Sequence, residues 1–326
     1  MQVSAKKISV IVPVYNLESH FRHLETELSK LDRAAVEIIL VNDGSTDETG
    51  RFLVDLRTVW DEILVIECEE NRGAGAARNL GFSRATGEYT LFFDADDFLH
   101  PENIWHTIDL LDASRADASM NVYDFIREGD RITTGMNAFD HQLWKAVYPR
   151  FHGKTFAIDA CPELLRFTNF PWNKVIRTSY YKQLRLRPFF GETRVNNDVH
   201  GHWNTLLHAR KLLLVDEKIV THRIYQNENH ISKQFGAERL EMFDALQLLR
   251  SLTIAGSAER KWLGREYWLF ARKLVEWGES HMDKRFRADF RCRLKALARL
   301  ASIADLRDLV EAGEGDTCTW ILESLG

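Results

Sequence analysis

An acidic cluster follows one strongly apolar segment of this sequence. The run at 91–93 (LFF) is followed directly by Asp94, Asp96 and Asp97. Two carboxylates placed two residues apart on a turn can bind one divalent cation, and that cation can bind a diphosphate. Hard oxygen ligands favour Mg²⁺ or Mn²⁺. The alternative is a solvated acidic turn that precedes the helix expected after Pro101, since acidic residues are common before helices.

Two further polar clusters follow short apolar segments. Tyr15 and Asn16 come after the β-branched run 8–14, and Asn42 and Asp43 come after the run 36–41. Such runs are typical of strands that are buried on both faces. In parallel sheets, ligands bind beyond the carboxyl ends of the strands. We therefore expect these clusters and the acidic cluster to meet in one crevice.

The first hundred residues alternate between strand-like and helix-like segments. Strands are predicted over 8–14, 36–41, 63–66 and 89–93, and helices over 18–31, after Ser45 or Thr46, and over 73–85. This alternation predicts an α/β sheet with parallel strands.

The rest of the chain divides into two parts by pattern. Residues 101–235 are less regular and rich in aromatic residues and histidine, whereas apolar residues recur at helical spacing from about 237 onward. We predict one domain over 1–235, divided into halves at 1–105 and 106–235. A C-terminal helical region would follow over 236–326.

Four motifs follow one another along the first hundred residues: VIVPVYN at 10–16, VNDGSTD at 41–47, GAGAARN at 73–79 and FDADD at 93–97. Together they closely resemble the family 2 glycosyltransferases of bacterial polysaccharide and cell-surface glycan synthesis over residues 8–105. Looser similarity continues to about 235 through PWNK at 171–174 and ND at 197–198. The resemblance implies the GT-A fold, a Rossmann-like mixed α/β sheet flanked by helices that binds nucleotide-diphospho-sugars. It makes residues 1–235 the catalytic domain, with 1–105 as the nucleotide-sugar-binding half and 106–235 as the acceptor half.

The resemblance also implies which residues contact the donor nucleotide. Pro13 and Tyr15 match the wall against the base, where an aromatic ring suits stacking. Asp43 matches the carboxylate that accepts a hydrogen bond from uracil N3–H, a donor that cytosine lacks. Tyr15 could instead be a plain loop aromatic, and Asp43 an Asx-turn residue before Gly44, a role compatible with base binding.

The diphosphate and the metal have their own matching residues. Arg78 resembles the family arginine near the diphosphate, and its alternative is an ordinary cation on a helix surface. Asp94 and Asp96 resemble the D-x-D motif, with Asp96 as the direct ligand of Mn²⁺ or Mg²⁺ and Asp97 able to share that role. His222 matches a histidine that completes the metal site in some relatives, and its alternative is a half-buried structural histidine.

A catalytic base is needed to take the proton of the attacking acceptor hydroxyl. The family usually supplies it from a Glu-Asp pair, and the matching place here carries Asn197 and Asp198. We assign Asp198 as the base, with Glu192 as the alternative and a surface-loop role for Asp198 left open. Because the usual adjacent carboxylate is missing, the resemblance does not indicate which neighbour adjusts the pKa of Asp198.

The acceptor side is predicted from weaker matches. Trp172 and Asn173 resemble the acceptor motif, where an indole face could stack on sugar C–H groups, and we assign Glu192 to acceptor binding as well. A core tryptophan is an equal alternative for Trp172. Arg223 and Ser232 match a late segment that closes over the diphosphate.

The glycines at 73 and 75 also invite comparison with a dinucleotide-binding fingerprint. A G-x-G-x-x-G motif requires a glycine at its sixth position, where this chain has Arg78. The first strand lacks such a fingerprint as well, so NAD binding is disfavoured.

Composition narrows the class of protein. The 326 residues are 45% hydrophobic and 28% charged, as in globular proteins, and the net charge of −5 argues against a nucleic-acid-binding protein. The four cysteines include no C-x-x-C pair, which disfavours a zinc site. No run of about 18 apolar residues occurs, and the run at 8–14 fits a buried strand better than a signal peptide. We expect a cytoplasmic protein, located in part at the inner face of the membrane.

One C-terminal segment is strongly basic. Between Lys284 and Arg299 there are seven Lys or Arg residues against one acid, Asp289, and the apolar residues share one helical face. Such a helix can lie on anionic lipid or bind an anionic polymer. It is more often a solvated face packed on its own domain. We keep both peripheral membrane contact and a homo-oligomer formed by the C-terminal helices as hypotheses.

These features predict a metal-dependent, inverting glycosyltransferase that uses a UDP-sugar and a glycan, lipid-linked or polymer acceptor. A nucleotidyltransferase would need an early glycine-rich loop with a basic residue, which PVYN at 13–16 is not. A catalytically silent sugar-nucleotide-binding or glycan-binding module would keep Asp43 but need no base. A structural protein built on the C-terminal helices would show no metal-dependent nucleotide binding.

Overall fold

A computed structural model describes residues 7–60, 62–127, 129–130, 132–225, 236–256 and 259–326 of the chain. Over these residues the chain forms a sheet of eight strands, a second sheet of three strands, and twelve α-helices. The larger sheet has the strand order β3-β2-β1-β4-β9-β6-β10-β8.

The N-terminal part of the large sheet matches the predicted alternation. The strands are β1 (Ile8–Val14), β2 (Val36–Asn42), β3 (Leu64–Glu67) and β4 (Tyr89–Phe92), and the helices are α1 (Phe21–Ser29), α2 (Thr49–Val59) and α3 (Ala74–Arg84). All neighbouring pairs among these strands are parallel. Ile11 and Val12 are completely buried, because helices cover both faces of the sheet. The parallel α/β prediction is confirmed.

The middle of the chain completes the sheet with mixed strand directions. Its strands there are β6 (Ala118–Asn121), β8 (Thr155–Phe156), β9 (Val175–Arg177) and β10 (Leu212–Val215). Strand β9 runs antiparallel to both β4 and β6, whereas β10 is parallel to β6. The helices of this part are α4 (Pro101–Ser114), α5 (Ala138–Phe151), α6 (Thr178–Gln183) and α7 (Asn197–His208).

A small second sheet lies directly after the acidic cluster. It consists of β5 (Phe98–Leu99), β7 (Asp124–Arg127) and β11 (Val220–Ile224), with β11 in the centre. Strand β11 pairs antiparallel with β5, so that Thr221 faces Phe98. This pairing brings His222 next to the acidic cluster across more than a hundred positions of the chain.

The C-terminal region is helical, as predicted. It begins with a 3-10 turn at Ala237–Glu241 and continues with α8 (Met242–Gly256), α9 (Leu263–His281), α10 (Arg287–Ala298), α11 (Ile303–Glu311) and α12 (Gly315–Glu323). Phe243, Tyr267 and Trp268 form its fully buried interior. An ion pair of 3.0 Å between Arg166 and Glu266 connects this region to the middle of the chain. The predicted domain boundary at 235 falls at the end of residues 226–235, which lie outside the described residues. The division into domains therefore remains a prediction.

The basic segment packs its apolar side inward. It forms a short 3-10 turn at Lys284–Phe286 and then α10. Phe290 and Leu297 are buried, and the Phe290 ring lies 4.9 Å from that of Phe243 on α8. The apolar face of α10 is therefore covered by the protein itself, whereas most of its basic residues are exposed. Within the described parts of the chain, no helix has both the length and the apolar composition that crossing a membrane requires.

Candidate active site

The loops after β1 and β2 are joined to each other. Asn16 adopts a left-handed backbone with φ of 48°, a conformation that asparagine tolerates better than most residues. Its side-chain Oδ1 accepts a hydrogen bond from the Thr46 amide at 2.8 Å, and its own amide donates to Ser45 Oγ at 3.0 Å. Tyr15 precedes it and is 48% exposed, while Pro13 is partly exposed. An exposed ring at this strand end is available to a ligand.

Asp43 fixes the loop that leads into α3. It is buried, and its two carboxylate oxygens accept hydrogen bonds from the backbone amides of Arg72 at 3.0 Å and Gly73 at 2.7 Å. The carboxylate thus fixes a loop distant in sequence, whereas the side chain that bonds within the turn at Gly44 is Asn42, whose Oδ1 accepts from the Ser45 amide at 3.1 Å. Because each carboxylate oxygen carries two acceptor sites, these bonds do not use up its capacity.

Arg78 is a buried bridge and not a surface cation. Its guanidinium donates to Asp94 Oδ1 at 2.6 Å and to Asn197 Oδ1 at 2.9 Å, and the residue is only 5% exposed. The alternative of an ordinary helix-surface cation is therefore wrong. Arg78 links the acidic cluster to the start of α7.

Asp97 is completely buried, whereas Asp94 and Asp96 are partly exposed. Its Oδ1 accepts hydrogen bonds from His222 Nδ1 at 2.8 Å and from the Arg223 amide at 2.9 Å. Arg223 also reaches His23 at 3.1 Å, and His23 Nε2 lies 2.6 Å from the Asp97 carbonyl oxygen. A carboxylate held in this way supports His222 through Oδ1, whereas its Oδ2 is buried and has no hydrogen-bond partner among the described residues. Direct metal binding by Asp97 together with Asp96 stays a prediction.

The protonation of this pair follows from its surroundings. Burial raises the pKa of Asp97 to about 7, although His222 opposes the shift. Burial lowers the pKa of His222, but the ion pair with Asp97 and the charges of Asp96 and Asp94 outweigh it and raise that pKa to about 9. Without a metal the two side chains therefore form an ion pair, and a cation that binds Nε2 of His222 would displace the proton from that nitrogen.

The residues around Asp96 fit a metal that is shared with a substrate. In the described part of the chain, no group of three or more His, Cys, Asp or Glu side chains is arranged to hold a metal ion. Asp96 is partly exposed, and Nδ1 of His222 is engaged by Asp97, so Nε2 is the nitrogen left for a ligand. Mg²⁺ is commonly bound by one or two carboxylates together with substrate phosphates and water. One carboxylate and one oriented imidazole fit that arrangement.

Asp198 lies in the first turn of α7 and is partly buried. Burial raises the pKa of Asp198, Arg78 lowers it, and Asp94 raises it again. The nearby Asn169 side chain also lowers this pKa. A carboxylate whose pKa lies above its ordinary value suits a general base better than a fully solvated one. The neighbouring Asn197, which stands where the family usually has glutamate, accepts a hydrogen bond from Arg78.

Two residues near Asp198 were missed by the sequence analysis. Asn169 carries no signal in the sequence that could have found it. Lys174 belongs to the PWNK motif, but no role was assigned to it. Its buried ammonium donates to the Phe170 carbonyl and to Asn173 Oδ1, each at 2.6 Å. Burial lowers the pKa of Lys174 to about 7, and the nearby charge of Asp198 opposes that shift.

The predicted acceptor residues differ in exposure: two are buried and one lies at the surface. Trp172 and Asn173 are completely buried, and the Trp172 ring stacks on Phe170 at 4.4 Å and on His222 at 5.6 Å. The core alternative therefore holds for Trp172, and neither side chain can contact an acceptor in this conformation. Glu192 is exposed and lies 3.4 Å from Arg72. Ser232 lies outside the described residues.

Comparison with known proteins gives a consistent result at the level of sequence. The sequence model described as "Glycosyl transferase family 2" matches residues 9–185. "Glycosyltransferase GlyA" of Streptococcus pneumoniae serotype 4 is 28% identical over 222 residues, which cover 67% of this chain. The alignment covers 30% of that relative, so this chain spans less than a third of the length of GlyA.

Two solved structures are similar in fold. Staphylococcus aureus TarS 1–349 in complex with UDP-GlcNAc matches with a TM-score of 0.71 at 19% identity, over 98% of this chain and 91% of TarS 1–349. The mannosyltransferase PcManGT from Pyrobaculum calidifontis, in complex with GDP-Man and Mn²⁺, matches with a TM-score of 0.54 at 14% identity, over 99% and 87% of the chains. These similarities confirm the predicted GT-A fold with C-terminal helices.

Proposed function

The chain belongs to glycosyl transferase family 2 and is a glycosyltransferase, and on that premise we propose that it transfers a sugar from a UDP-sugar to a hydroxyl of a glycan, lipid-linked or polymer acceptor. The observation that carries the proposal is the bridge made by Arg78. It joins Asp94 of the acidic cluster to Asn197, the residue before Asp198. A donor site and a general base on opposite sides of one arginine are the parts that glycosyl transfer requires.

The donor nucleotide would bind at the ends of β1 and β2. Tyr15 offers an exposed ring for the base, and the Asp43 carboxylate has acceptor capacity for the N3–H of uracil. Cytosine has no donor at N3, so the site favours uridine nucleotides. The UDP-GlcNAc complex of the similar TarS structure supports this choice.

A divalent cation, Mn²⁺ or Mg²⁺, would be held by Asp96 and by Nε2 of His222. When bound, it would supply the positive charge that stabilises the departing diphosphate. Asp97 would orient His222 by accepting the hydrogen bond of Nδ1, as carboxylates commonly do for metal-bound histidines. The Mn²⁺ complex of PcManGT supports this proposal.

Asp198 would carry out the acid–base chemistry. Its carboxylate would take the proton of the acceptor hydroxyl as that oxygen attacks the anomeric carbon. The bond from the anomeric carbon to the diphosphate oxygen would break on the opposite side, which gives inversion in one displacement. Asn169 would orient the carboxylate, and Arg78 would keep Asp94 and α7 at a fixed separation. Glu192, which is exposed, would lie on the acceptor side.

The basic face of α10 would make a peripheral contact with anionic lipid, which would place the enzyme at the inner face of the membrane. The contact would be electrostatic, because Phe290 and Leu297 are buried against the protein. Retention on anionic vesicles should fall in a variant with Lys284, Arg287 and Arg291 changed to Ser, and more so at low salt. Equal retention of both proteins would contradict it.

A homo-oligomer would use the outer faces of the last two helices. Ile303 and Val310 of α11 are 78% and 59% exposed, and Leu322 of α12 is 51% exposed. Sedimentation equilibrium of the wild type and of Ile303→Ser tests this. A monomer at all concentrations would contradict it.

The donor site is tested first by thermal shift with UDP-, GDP- and CDP-sugars, with and without Mn²⁺. A ligand that binds only the native state raises the melting temperature by mass action. We expect a Mn²⁺-dependent rise with a UDP-sugar that is lost in Asp96→Ala, together with slow release of UDP. No rise with any nucleotide would contradict the donor site. A rise in melting temperature with a UDP-sugar, without any release of UDP, would favour a catalytically silent binding module.

A further inference from the structure

We propose that the first turn of the C-terminal region, Ala237–Glu241, is part of the active site, with Glu241 as a positioning residue for Asp198. The inference rests on the proposed role of Asp198 as the base. We call residues 189–198 the base loop, since they lead into α7 and end at Asp198. The base loop is held between two elements, one on each side.

Helix α3 holds the base loop on the donor side. The Asn79 side chain exchanges two hydrogen bonds with the backbone of Phe190, at 3.0 Å and 2.8 Å. Gly75 lies so close that a Cβ there would stand 1.9 Å from the Gly191 carbonyl oxygen and 2.8 Å from Asn197 Cβ. The donor side therefore sets how near the loop can approach α3.

The C-terminal region holds the base loop on the other side. The amide of Arg194 donates to Glu241 Oε2 at 2.7 Å, a bond strengthened by the carboxylate charge. A Cβ at Gly191 would lie 3.7 Å from the Leu248 side chain of α8, which is ordinary packing distance. Helices α7 and α8 are in contact as well. The base loop is thus contacted on both sides, by α3 and by the C-terminal region.

Bonds within the loop transmit that position to the base. The Gly191 amide donates to the Asn197 carbonyl at 2.9 Å, and Thr193 Oγ1 donates to the Val195 carbonyl at 2.8 Å. Arg194 lies inside this closed segment, so moving its amide moves the start of α7. Asp198 follows Asn197 directly.

The same turn brings a cation toward the base. Arg239 is 5% exposed, lies 5.3 Å from the centre of the Trp277 ring, and interacts electrostatically with Asp198. With Arg78, Lys174 and Asp94, it belongs to the set of charges that surround Asp198. A turn that fixes the base loop and contributes to the field at the base acts on the nucleophile side of the reaction, not on the donor.

The test compares Glu241→Ala with Glu241→Gln and with the control Asp244→Ala. Asp244 also lies in the C-terminal region but pairs with Arg293 at 2.9 Å, away from the base loop. We expect Glu241→Ala to lower kcat of transfer about tenfold, as small misplacements of catalytic groups do. Its affinity for UDP-sugar should stay within about twofold of wild type on the same grounds. Glu241→Gln should recover most of the rate, since its carbonyl still accepts the Arg194 amide.

Hydrogen exchange of the segment 191–196 gives a second readout that does not depend on activity. Exchange should become faster in Glu241→Ala and stay unchanged in Asp244→Ala. Wild-type kcat in Glu241→Ala would overturn the proposal, as would an equal loss of donor affinity and rate. If the wild type neither binds nor turns over a UDP-sugar, the proposed function fails. Independently of that result, unchanged hydrogen exchange of residues 191–196 in Glu241→Ala would show that Glu241 does not fix the base loop.

Discussion

Arg78 donates a hydrogen bond of 2.6 Å to Asp94, and both side chains are shielded from solvent to a large degree. The second contact of Arg78, with Asn197 at 2.9 Å, ties the same guanidinium to the helix that carries Asp198. The planar guanidinium can serve two acceptors in fixed directions, which an ammonium group cannot do in the same geometry. One arginine therefore links the acidic cluster to the helix that carries the proposed base.

Replacing this arginine tests that relationship. We expect Arg78→Lys to lose one of the two contacts and to lower kcat/KM about a hundredfold, because the reacting groups are misplaced. The control is Arg84→Lys, on the same helix but exposed. Steady-state kinetics with saturating acceptor measures both. A loss below about threefold in Arg78→Lys would mean that the bridge is not needed for positioning.

The pH dependence of transfer tests the environment of Asp198. The base must be ionised, so activity rises with pH through its pKa. Burial raises that pKa and Arg78 lowers it, which places the acidic limb of kcat/KM above the ordinary carboxylate range. The other charges that act on Asp198 are those of Asp94, Lys174 and Arg239.

Asn197→Glu would restore the charge that the family usually carries at this position. Its carboxylate can accept the same bond from Arg78, and its charge beside Asp198 disfavours ionisation of the base. We expect the acidic limb to move to higher pH, with little change in melting temperature. An acidic limb that stays in place or moves to lower pH would show that Asp198 is not the titrating base.

Gly75→Ala tests the close approach of α3 to the base loop. A methyl group 1.9 Å from the Gly191 carbonyl oxygen cannot be accommodated without moving backbone. We expect a loss of about 1–3 kcal/mol in the free energy of unfolding and a loss of transfer. The control is Gly135→Ala, where a Cβ meets nothing within 4 Å. Equal stability and rate in both variants would contradict the described packing.

Trp172 variants separate a core role from an acceptor role. Trp172→Ala should lower the free energy of unfolding by about 3–5 kcal/mol, since a large buried ring is removed. Trp172→Phe should keep most of the stability and should change KM for the acceptor by less than twofold, or roughly 0.4 kcal/mol. Chemical denaturation and acceptor titration provide the two numbers. A large acceptor effect in Trp172→Phe at unchanged stability would restore the acceptor role predicted from the sequence.

The parts of the molecule that could be predicted are those encoded locally. β1 is a run of β-branched residues bounded by polar ones, and the residues after it had to lie at the carboxyl edge of the sheet. The burial of Arg78 could not be predicted, because its partner Asn197 is 119 positions away. Nor could the burial of Asp97, which depends on the late strand β11. For Trp172, a core position and a site position require the same residue type.

The pairing of β5 with β11 has a consequence for the proposed metal ligands. Asp96 precedes β5 and His222 belongs to β11, and these strands are joined through the partners Thr221–Phe98 and Val220–Leu99. Strand pairing thus fixes the main-chain positions from which the two proposed ligands extend. Little main-chain entropy is therefore left to lose when both bind one cation. Exchanging either ligand would alter the selectivity for the ion, while the paired strands that carry the ligands stay in place.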